Sequence, residues 1–440
     1  MSQIDTKNIA IKPRDVQVAT IATNTQVLRS RTWDRLKLEV EYSRHKGTTS
    51  NSYLIRGDKI ALIDPPGQSF TKIYLETISH HEWRQLDYII LQHVNPNRLA
   101  TIHLLAGYAP QAQIICSKPV ARALKGALIF PKWKSRVQVI KDNDSLDLGQ
   151  GHQLKFLRVS TPRWVDEFCT YDPRTKILYT DKFFGVHLCD DKVFDDNWKQ
   201  LDSDRRFYFD CLHASQTKQL TLALNKFEPL NCRMYAPAHG SLVKYSLSRL
   251  TYDYQKWCQQ QTSQDFKVVL LYASAYGNTA IIANAIAQGL IQSAIEVELI
   301  NCELTSTEDI TQAITTCDGL IIGSPTLSGH APTQIQTALE IILANAAKTK
   351  LTGVFGSYGW STEAIDMLEN KLQNAHYSLG FKPIRIRFCP TKDDLTECIQ
   401  AGRNFSYQLK KTKRLRTPRQ KITETQIERT EQAVGSVAKT

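Results

Sequence analysis

The 440-residue sequence lacks the features that mark membrane-spanning and secreted proteins. It has no run of 18 or more apolar residues, so no transmembrane helix is expected. The N-terminus, residues 1–14, is polar and has no apolar core of a signal peptide. The ten cysteines include no C-x-x-C pair, which favours reduced thiols over a disulfide framework. These absences predict a cytoplasmic protein.

Acidic residues are also missing from one segment of this chain, whose net charge is +12. Between Lys410 and Lys421 lie seven positive charges and no acid. A nucleic-acid or anionic-membrane patch is one interpretation, and a docking stripe for an acidic electron-donor protein is another. We prefer a solvated linker, because Pro418 and the polar tail 422–440 are typical of unstructured chain. We therefore expect no nucleic-acid partner.

Two patterns of apolar residues divide the chain. After a polar lead-in, residues 1–30, short β-rich and helical runs mix over 31–260, which suits an α/β sandwich of two sheets with outer helices. The polar stretch 251–266 is interpreted as a domain junction. Over 261–411 strands and helices alternate strictly, which predicts a doubly wound parallel sheet. Residues 412–440 form the predicted basic linker.

Polar loops follow three strands of the second domain, at the edge where open α/β sheets bind ligands. A glycine, hydroxyls and amides at a helix N-terminus suit a phosphate, although a simple capping turn looks similar. Tyr358 and Trp360 are suited to contact a flat ring system. The predicted ligand-binding residues are Ser274, Tyr276, Gly277, Asn278 and Thr279 in the first loop, Ser324, Pro325, Thr326 and Leu327 in the second, and Ser357, Tyr358, Gly359 and Trp360 in the third.

The stretch 93–98 of the first domain has the frame of a two-metal site of the H-x-E-x-D-H type. It follows the apolar run 88–91, which predicts a buried strand. Only His93 keeps a metal-binding side chain. Asn95 and Asn97 stand where carboxylates are needed, and Arg98, whose guanidinium has no lone pair to give, stands where the last histidine belongs.

The second domain resembles flavodoxin, and more closely the flavodoxin-like module of flavodiiron proteins, in the phrases at 323–326 and 355–360. The resemblance implies FMN, with its phosphate on the first loop and its isoalloxazine between the other two. The first domain resembles the metallo-β-lactamase-like module of the same family, an αββα sandwich. The phrases that carry this second resemblance are 50–55, 61–64, 93–98, 184–187 and 237–240.

The family reduces O2 to water, or NO to N2O, at a di-iron site with FMN as the electron donor. The positions that match its iron ligands are His93, Asn95, Asn97, Arg98, Arg163, Lys182 and His239, although a one-residue slip would place Asp181 at the sixth. Three carboxylates are lost, and three cations, Arg98, Arg163 and Lys182, are gained. Because these cations would repel two Fe²⁺, we predict no bound iron. Buried cations need compensation, from a bound anion or from acidic partners. The candidate partners are Asp64, Asp166, Glu167 and Asp181.

In such proteins a head-to-tail dimer places the flavin of one subunit opposite the irons of the other. A homodimer of this chain would then hold flavin but no iron, whereas a heterodimer with an iron-competent relative would have one usable pair. Residues 426–435 resemble the entry to a C-terminal flavin reductase module that draws electrons from NAD(P)H, and we expect the chain to be truncated there. The alternatives are a zinc hydrolase of the β-lactamase superfamily and a non-catalytic scaffold with an anion-filled pocket.

Overall fold

The structure is a computed structural model that describes residues 12–34, 36, 46–127, 136–161 and 163–416. The predicted reductase stub at 426–435 and the part of the basic linker beyond 416 lie outside this range. Within it, no helix combines the length and the apolar character that a membrane crossing requires.

The first domain begins with a sheet to which the described residues contribute strands in the order β1 to β7. The first four strands are antiparallel, and the later ones are parallel. Successive residues point to opposite faces, so Val27 and Tyr53 pack in the central core while Leu28 and Leu54 pack under helices. The elements are β1 Asp15–Ala22, β2 Thr25–Thr32, β3 Thr48–Arg56, β4 Ile60–Ile63, α1 Thr71–Thr77, α2 His80–Arg84, β5 Tyr88–Leu91, α3 Pro96–Tyr108, β6 Gln113–Cys116, α4 Lys118–Ala127 and β7 Val137–Val139.

A second sheet, in the order β12-β11-β10-β9-β8, packs against the first. Phe156, Phe168 and Tyr179 join Tyr53 in the core between the sheets. The other face of the second sheet is covered by three helices. This arrangement confirms the predicted αββα sandwich. The elements are β8 Ser145–Gly149, β9 His152–Arg158, β10 Phe168–Asp172, β11 Ile177–Asp181, α5 Trp198–Leu212, α6 Thr217–Phe227, β12 Met234–Pro237 and α7 Leu247–Thr262.

Three of the predicted boundaries in the chain are wrong. The lead-in 1–30 contains β1 and β2, which pair with each other and with β3, so the first domain begins earlier. Strand β1 is mostly exposed on one face, and its polar residues hide the alternation. The supposed junction 251–266 lies mostly in α7, an outer helix that buries Leu250, Tyr254 and Cys258 and exposes its other face. The supposed linker from 412 begins inside a helix that continues to 416.

The second domain is the predicted doubly wound parallel sheet, with strand order β14-β13-β15-β16-β17 and with β18 pairing β16. All of these pairings are parallel. The short strand β17 was missed. The elements are β13 Lys267–Tyr272, α8 Asn278–Ile291, β14 Glu296–Asn301, α9 Thr307–Thr316, β15 Gly319–Pro325, α10 Thr333–Asn345, β16 Leu351–Tyr358, α11 Glu363–Asn374, β17 Ser378–Leu379, β18 Ile384–Arg387 and α12 Lys392–Arg416.

Helices α8 and α12 approach closely because each has a glycine at the contact. A Cβ on Gly402 would overlap the carbonyl oxygen of Ile286, and one on Gly289 would overlap that of Ile399. We expect Gly402→Ala to lower the free energy of unfolding by about 1–3 kcal/mol, because the helices must separate. Gly107→Ala in α3 is the control, since its Cβ would meet nothing within 4 Å.

The control variant should be neutral or more stable by about 0.4–1 kcal/mol, because alanine restricts the unfolded chain. Urea unfolding of the flavin-free chain, followed by circular dichroism, measures both variants. Equal stability of the two variants would contradict the close approach of α8 and α12.

Candidate functional site

The window 93–98 joins the end of strand β5 to the start of helix α3. The side chain of Asn95 accepts a hydrogen bond from the backbone N–H of Arg98 at 3.1 Å, and Pro96 occupies the first turn. Asparagine at the N-cap and proline at the first helical position both favour the start of a helix at this point of the chain. Asn95 therefore caps the helix, and Asn97 lies half-buried in the first turn.

Arg98 points inward and is only 4% exposed. Its Nη1 donates to the carbonyl of His93 at 2.8 Å and to Oδ1 of Asp64 at 3.4 Å. Its Nη2 lies 3.6 Å from Oδ1 of Asp181. The guanidinium thus sits between two buried carboxylates, which confirms two of the four predicted acidic partners.

Asp64 directly follows strand β4 and Asp181 is the last residue of strand β11, and both have an unusual backbone conformation. Asp64 has φ 51° and Asp181 has φ 43°, in the left-handed region that aspartate tolerates better than most residues. Burial raises the pKa of Asp64 to about 6, while the charge of Arg98 opposes the rise. Asp64 is therefore ionised at neutral pH. Hydrogen bonds from the backbone N–H and the amide of Gln92 hold the carboxylate in place.

Lys182 is the second buried cation, and it is 8% exposed. Its Nζ lies 3.8 Å from Oδ1 of Asp181, and its backbone N–H donates to Glu167 at 3.4 Å. Burial, followed by the charge of Asp181, raises the pKa of Glu167 well above its usual value, which favours the protonated acid. Arg98 and Lys182 are thus matched by Asp64 and Asp181. The predicted cation excess is smaller here than the sequence indicates.

The two retained histidines are each oriented through Nδ1. His93 Nδ1 lies 3.0 Å from both oxygens of Asp166, and His239 Nδ1 donates to the carbonyl of Thr49 at 2.6 Å. Burial opposes ionisation of Asp166, yet His93 and the surrounding hydrogen bonds hold its pKa below the usual range. Burial, with the charges of His187, Lys182 and Arg98, lowers the pKa of His239 far below the usual range. Its Nε2 is therefore left without a proton.

Arg163 takes a different position from the other two cations. It is half-buried, its Nη1 donates to the carbonyl of Cys211 at 3.0 Å, and its guanidinium lies 4.6 Å from the ring centre of Trp164. His213 was missed, because no ligand spacing marks it. It is buried beside Trp164, its Nε2 donates to the carbonyl of Lys182 at 3.1 Å, and burial lowers its pKa to about 3. The ring centres of His187 and His239 lie 4.9 Å apart.

This set of side chains does not fit a di-iron centre. The predicted ligand positions offer two imidazoles. Of the neighbouring buried carboxylates, Asp64 and Asp181 are engaged by Arg98 and Lys182, and Asp166 is engaged by Nδ1 of His93. In the part of the chain that the structure describes, no group of three or more His, Cys, Asp or Glu side chains is placed to hold one metal ion. Two Fe²⁺ need several anionic oxygen ligands, and the predicted ligand positions supply none.

The first loop of the second domain precedes helix α8. Gly277, with φ 85°, is the N-cap and supplies no side-chain cap, so the first N–H groups of α8 have no intrahelical partner. Ser274 accepts a hydrogen bond from the N–H of Ala280 at 3.2 Å, and Tyr276 is 87% exposed. A Cβ on Gly277 would meet nothing within 4 Å, so the space beside this helix end is open.

Hydrogen bonds join the second and third loops to each other and to the first. The N–H of Thr326 donates to the carbonyl of Ser357 at 2.9 Å, and the Ser357 hydroxyl lies 2.8 Å from that of Thr279. The Thr326 hydroxyl is buried without a hydrogen-bond partner among the described residues. Leu327 is partly exposed, and Trp360 is 86% exposed. The three predicted loops therefore meet at one edge of the sheet.

These loops fit a flavin mononucleotide. The N-terminus of α8, where the N-cap Gly277 has no side chain and the Ser274 hydroxyl accepts the N–H of Ala280, suits the phosphate. A ligand could pair with the buried Thr326 hydroxyl, and the exposed rings of Tyr276 and Trp360 suit a flat aromatic ligand. Bound FMN would supply electron transfer at this edge. The sequence missed Glu303, whose carboxylate accepts the N–H of Ser274 at 3.1 Å, and Arg387 beside Trp360.

Comparisons with known proteins agree with both domains. Residues 48–240 match the model of the ODP family beta lactamase, and residues 270–402 match that of flavodoxin. A putative diflavin flavoprotein A 4 from Nostoc sp. is 62% identical over 97% of this chain and 74% of its own length. The chain belongs to the flavodiiron proteins. The flavodoxin domain implies FMN as the cofactor of this flavodiiron chain.

Other relatives support the same assignment of this flavodiiron chain. A putative diflavin flavoprotein A 4 from Synechocystis sp. is 56% identical over 99% of the chain and 73% of its own length. The metal-soaked Flv1 flavodiiron core from Synechocystis sp. superposes with a TM-score of 0.86 at 53% identity, over 91% of this chain and 100% of that core. Rubredoxin oxygen:oxidoreductase from Desulfovibrio gigas, at 21% identity and a TM-score of 0.51 over 90% of this chain and 99% of that protein, shares the fold.

The contacts of Arg98 predict a large loss of stability when the guanidinium is removed. Arg98→Met leaves Asp64 buried without its cation and Asp181 with Lys182 alone, which we expect to cost about 3–5 kcal/mol. Arg249→Met removes an arginine of which 55% of the side chain is exposed and which pairs with Asp253, and it should cost less than about 1 kcal/mol. Urea unfolding at pH 7 compares the two variants. Equal losses would contradict the buried ion-pair cluster.

The position of Glu303 predicts a gain in flavin affinity when its charge is removed. Glu303→Gln retains an acceptor for the N–H of Ser274 but removes a carboxylate from the loop that would hold the phosphate. We expect FMN to bind up to about fivefold more tightly, as for an exposed charge pair worth up to about 1 kcal/mol. Fluorescence titration of the flavin-free chain measures the affinity. Glu340→Gln on α10 is the charge-matched control, and an equal gain in both variants would contradict a local effect.

Proposed function

We propose that this chain is an electron-transfer flavoprotein subunit of an NAD(P)H-linked system that reduces O2 to water. In this proposal its flavodoxin domain binds FMN, and its first domain does not bind iron. The catalytic irons come from an iron-competent relative in a head-to-tail heterodimer, in which this chain's FMN faces the partner's irons. The electrons reach FMN from NAD(P)H through a flavin reductase module or from a separate electron-donor protein.

The buried ion-pair cluster of Arg98, Asp64 and Asp181 is the observation that carries the proposal. Arg98 occupies a ligand position of the family and is held by two carboxylates and a carbonyl oxygen. A metal ion placed there would compete with a fixed cation that already lies between the two carboxylates. Moving the guanidinium away would leave it buried without its partners, which costs several kcal/mol. The pocket is thus stable without metal.

The three loops support the flavin part of the proposal. The residues proposed to bind the phosphate are Ser274, Gly277, Asn278 and Thr279, at the uncapped start of α8. Ser324, Thr326 and Leu327 would line one side of the ring system. Tyr276, Tyr358 and Trp360 would contribute aromatic surface, with Pro325, Ser357 and Gly359 shaping the loops between them. All ten cysteines are free, which supports a reducing, cytoplasmic location.

A non-catalytic scaffold is the second candidate function. The observation that favours it is the compensated pocket itself, since an ion-pair cluster buried in a domain stabilises structure without a reaction. An anion held by Arg163 or Lys182 would belong to this alternative. The two candidate functions differ in whether they need flavin: the electron carrier needs reducible FMN, whereas the scaffold does not.

Iron and flavin content of one purified sample tests the proposal. We expect about one FMN per chain, no tightly bound iron after anaerobic reconstitution with Fe²⁺, and no iron-dependent O2 consumption by the chain alone. An iron-loaded relative of the family, added with an electron source, should restore O2 consumption. Two irons held per chain would contradict the proposal that the first domain does not bind iron. A colourless protein would favour the scaffold function.

A matched pair of mixed samples separates the contribution of the flavin from that of the irons. In the first, this chain carries FMN and the relative lacks its own flavin. In the second, both chains lack flavin. O2 consumption in the first sample alone is expected, because electrons can then enter the irons only from this chain. Equal rates in both samples would contradict the proposed electron path.

A further inference from the structure

Strand β18 brings a positively charged residue to the edge of the sheet where the flavin loops meet. β18 pairs with β16 in a register that places Arg387 opposite Tyr358, and the N–H of Phe388 donates to the Tyr358 carbonyl at 2.7 Å. Nε of Arg387 donates to the carbonyl of Gly359 at 3.2 Å. Arg387 and Phe388 are therefore fixed to the backbone of the third loop.

The guanidinium of Arg387 lies between two aromatic rings. Its central carbon is 5.4 Å from the ring centre of Trp360 and 5.2 Å from that of Phe388. The two rings meet edge-to-face at 5.5 Å. Phe388 has φ 57°, a strained conformation that is uncommon for an aromatic residue. The fold therefore holds a strained residue in place beside this cation, at the rim of the ligand site.

No carboxylate neutralises Arg387 among the described residues. Arg385, two residues earlier on the same strand, pairs with Asp366 at 2.7 Å and also with Glu369. Aromatic faces attract a cation but carry no net charge, so Arg387 keeps its full positive charge at the edge where the loops meet. The charge of Arg385 is thus balanced by carboxylates, whereas the charge of Arg387 is not.

We propose that Arg387 stabilises the negative charge of reduced FMN and so raises the reduction potential of the bound flavin. This inference rests on the FMN binding proposed above. Two-electron reduction of FMN with uptake of one proton leaves one additional negative charge on the ring system. A fixed cation near the ring favours that charge and has a smaller effect on the oxidised, neutral ring. Arg387 is in this sense a residue that tunes the cofactor.

The test compares the affinities of the full-length chain for oxidised and for dithionite-reduced FMN. Flavin-free chain is titrated with each form under anaerobic conditions, so that the ratio is measurable even when a variant holds flavin weakly. Arg387→Gln removes the charge, and Arg387→Lys keeps it. Lys382→Gln removes the same charge from an exposed residue just before β18, at the opposite edge of the sheet. Circular dichroism checks that every variant is folded.

We expect Arg387→Gln to lower the ratio of reduced to oxidised affinity about tenfold, equal to about 30 mV in a two-electron potential. Arg387→Lys should stay near the wild-type ratio, and Lys382→Gln should match it. An unchanged ratio in Arg387→Gln, an equal fall in Lys382→Gln, or an equal fall in Arg387→Lys would each overturn the inference while leaving FMN binding intact. A wild-type chain that binds no FMN would instead remove the proposed function.

Discussion

The contact of Arg98 with Asp64 and Asp181 is the constraint on which the first domain depends. The three side chains come from the first turn of α3, the segment after β4 and the end of β11, so the contact joins both sheets to an outer helix. Each charged group is almost fully buried. Asp64 is held by Arg98 and by the backbone N–H and amide of Gln92, whereas Asp181 has the longer ion pairs with Arg98 and Lys182 and no hydrogen bond to its carboxylate among the described residues. In a low-dielectric interior such groups are stable together and costly apart.

Hydrogen bonds that do not involve Arg98 hold the turn that carries His239 beside the same pocket. Asn51 donates to the carbonyls of Pro237 and Gly240, and the carbonyl of Thr49 accepts the Nδ1–H of His239, so the first sheet holds this turn. Gly240, with φ 85°, lets that turn pass close to Val186. The backbone around the pocket is thus positioned independently of the ion pairs inside it.

The sequence predicted the layered architecture because apolar strand runs and β-α alternation are local signals. It failed at β1, an outer strand with one face partly exposed, and at α7, whose exposed face makes the helix polar on average. In both elements the burial pattern becomes visible only with the packing partners present. The three ligand loops were found because each follows a strand. Glu303 and Arg387 were missed because their roles arise from pairing across the sheet, which no local pattern records.

For the buried pocket, the sequence predicted the positions and some of the charge partners but not the side-chain directions. Resemblance identified the positions, and charge counting predicted four acidic partners for the three cations, of which Asp64 and Asp181 contact Arg98. The direction of the Arg163 side chain towards Trp164 and the hydrogen bond of His213 to the carbonyl of Lys182 depend on side-chain conformations, which the sequence does not fix. The sequence therefore did not predict that Arg163 contacts Trp164 and the carbonyl of Cys211.

The left-handed backbone at Asp64 and Asp181 has an evolutionary consequence. The two acids are held in a backbone conformation that few residues tolerate, and they depend on Arg98 and Lys182 for their charge balance. Replacing Arg98 by histidine in one step would leave Asp64 without a cation and a lysine still beside Asp181. Building a metal site in this pocket would therefore need several changes at once, and a path of single substitutions would pass through less stable chains.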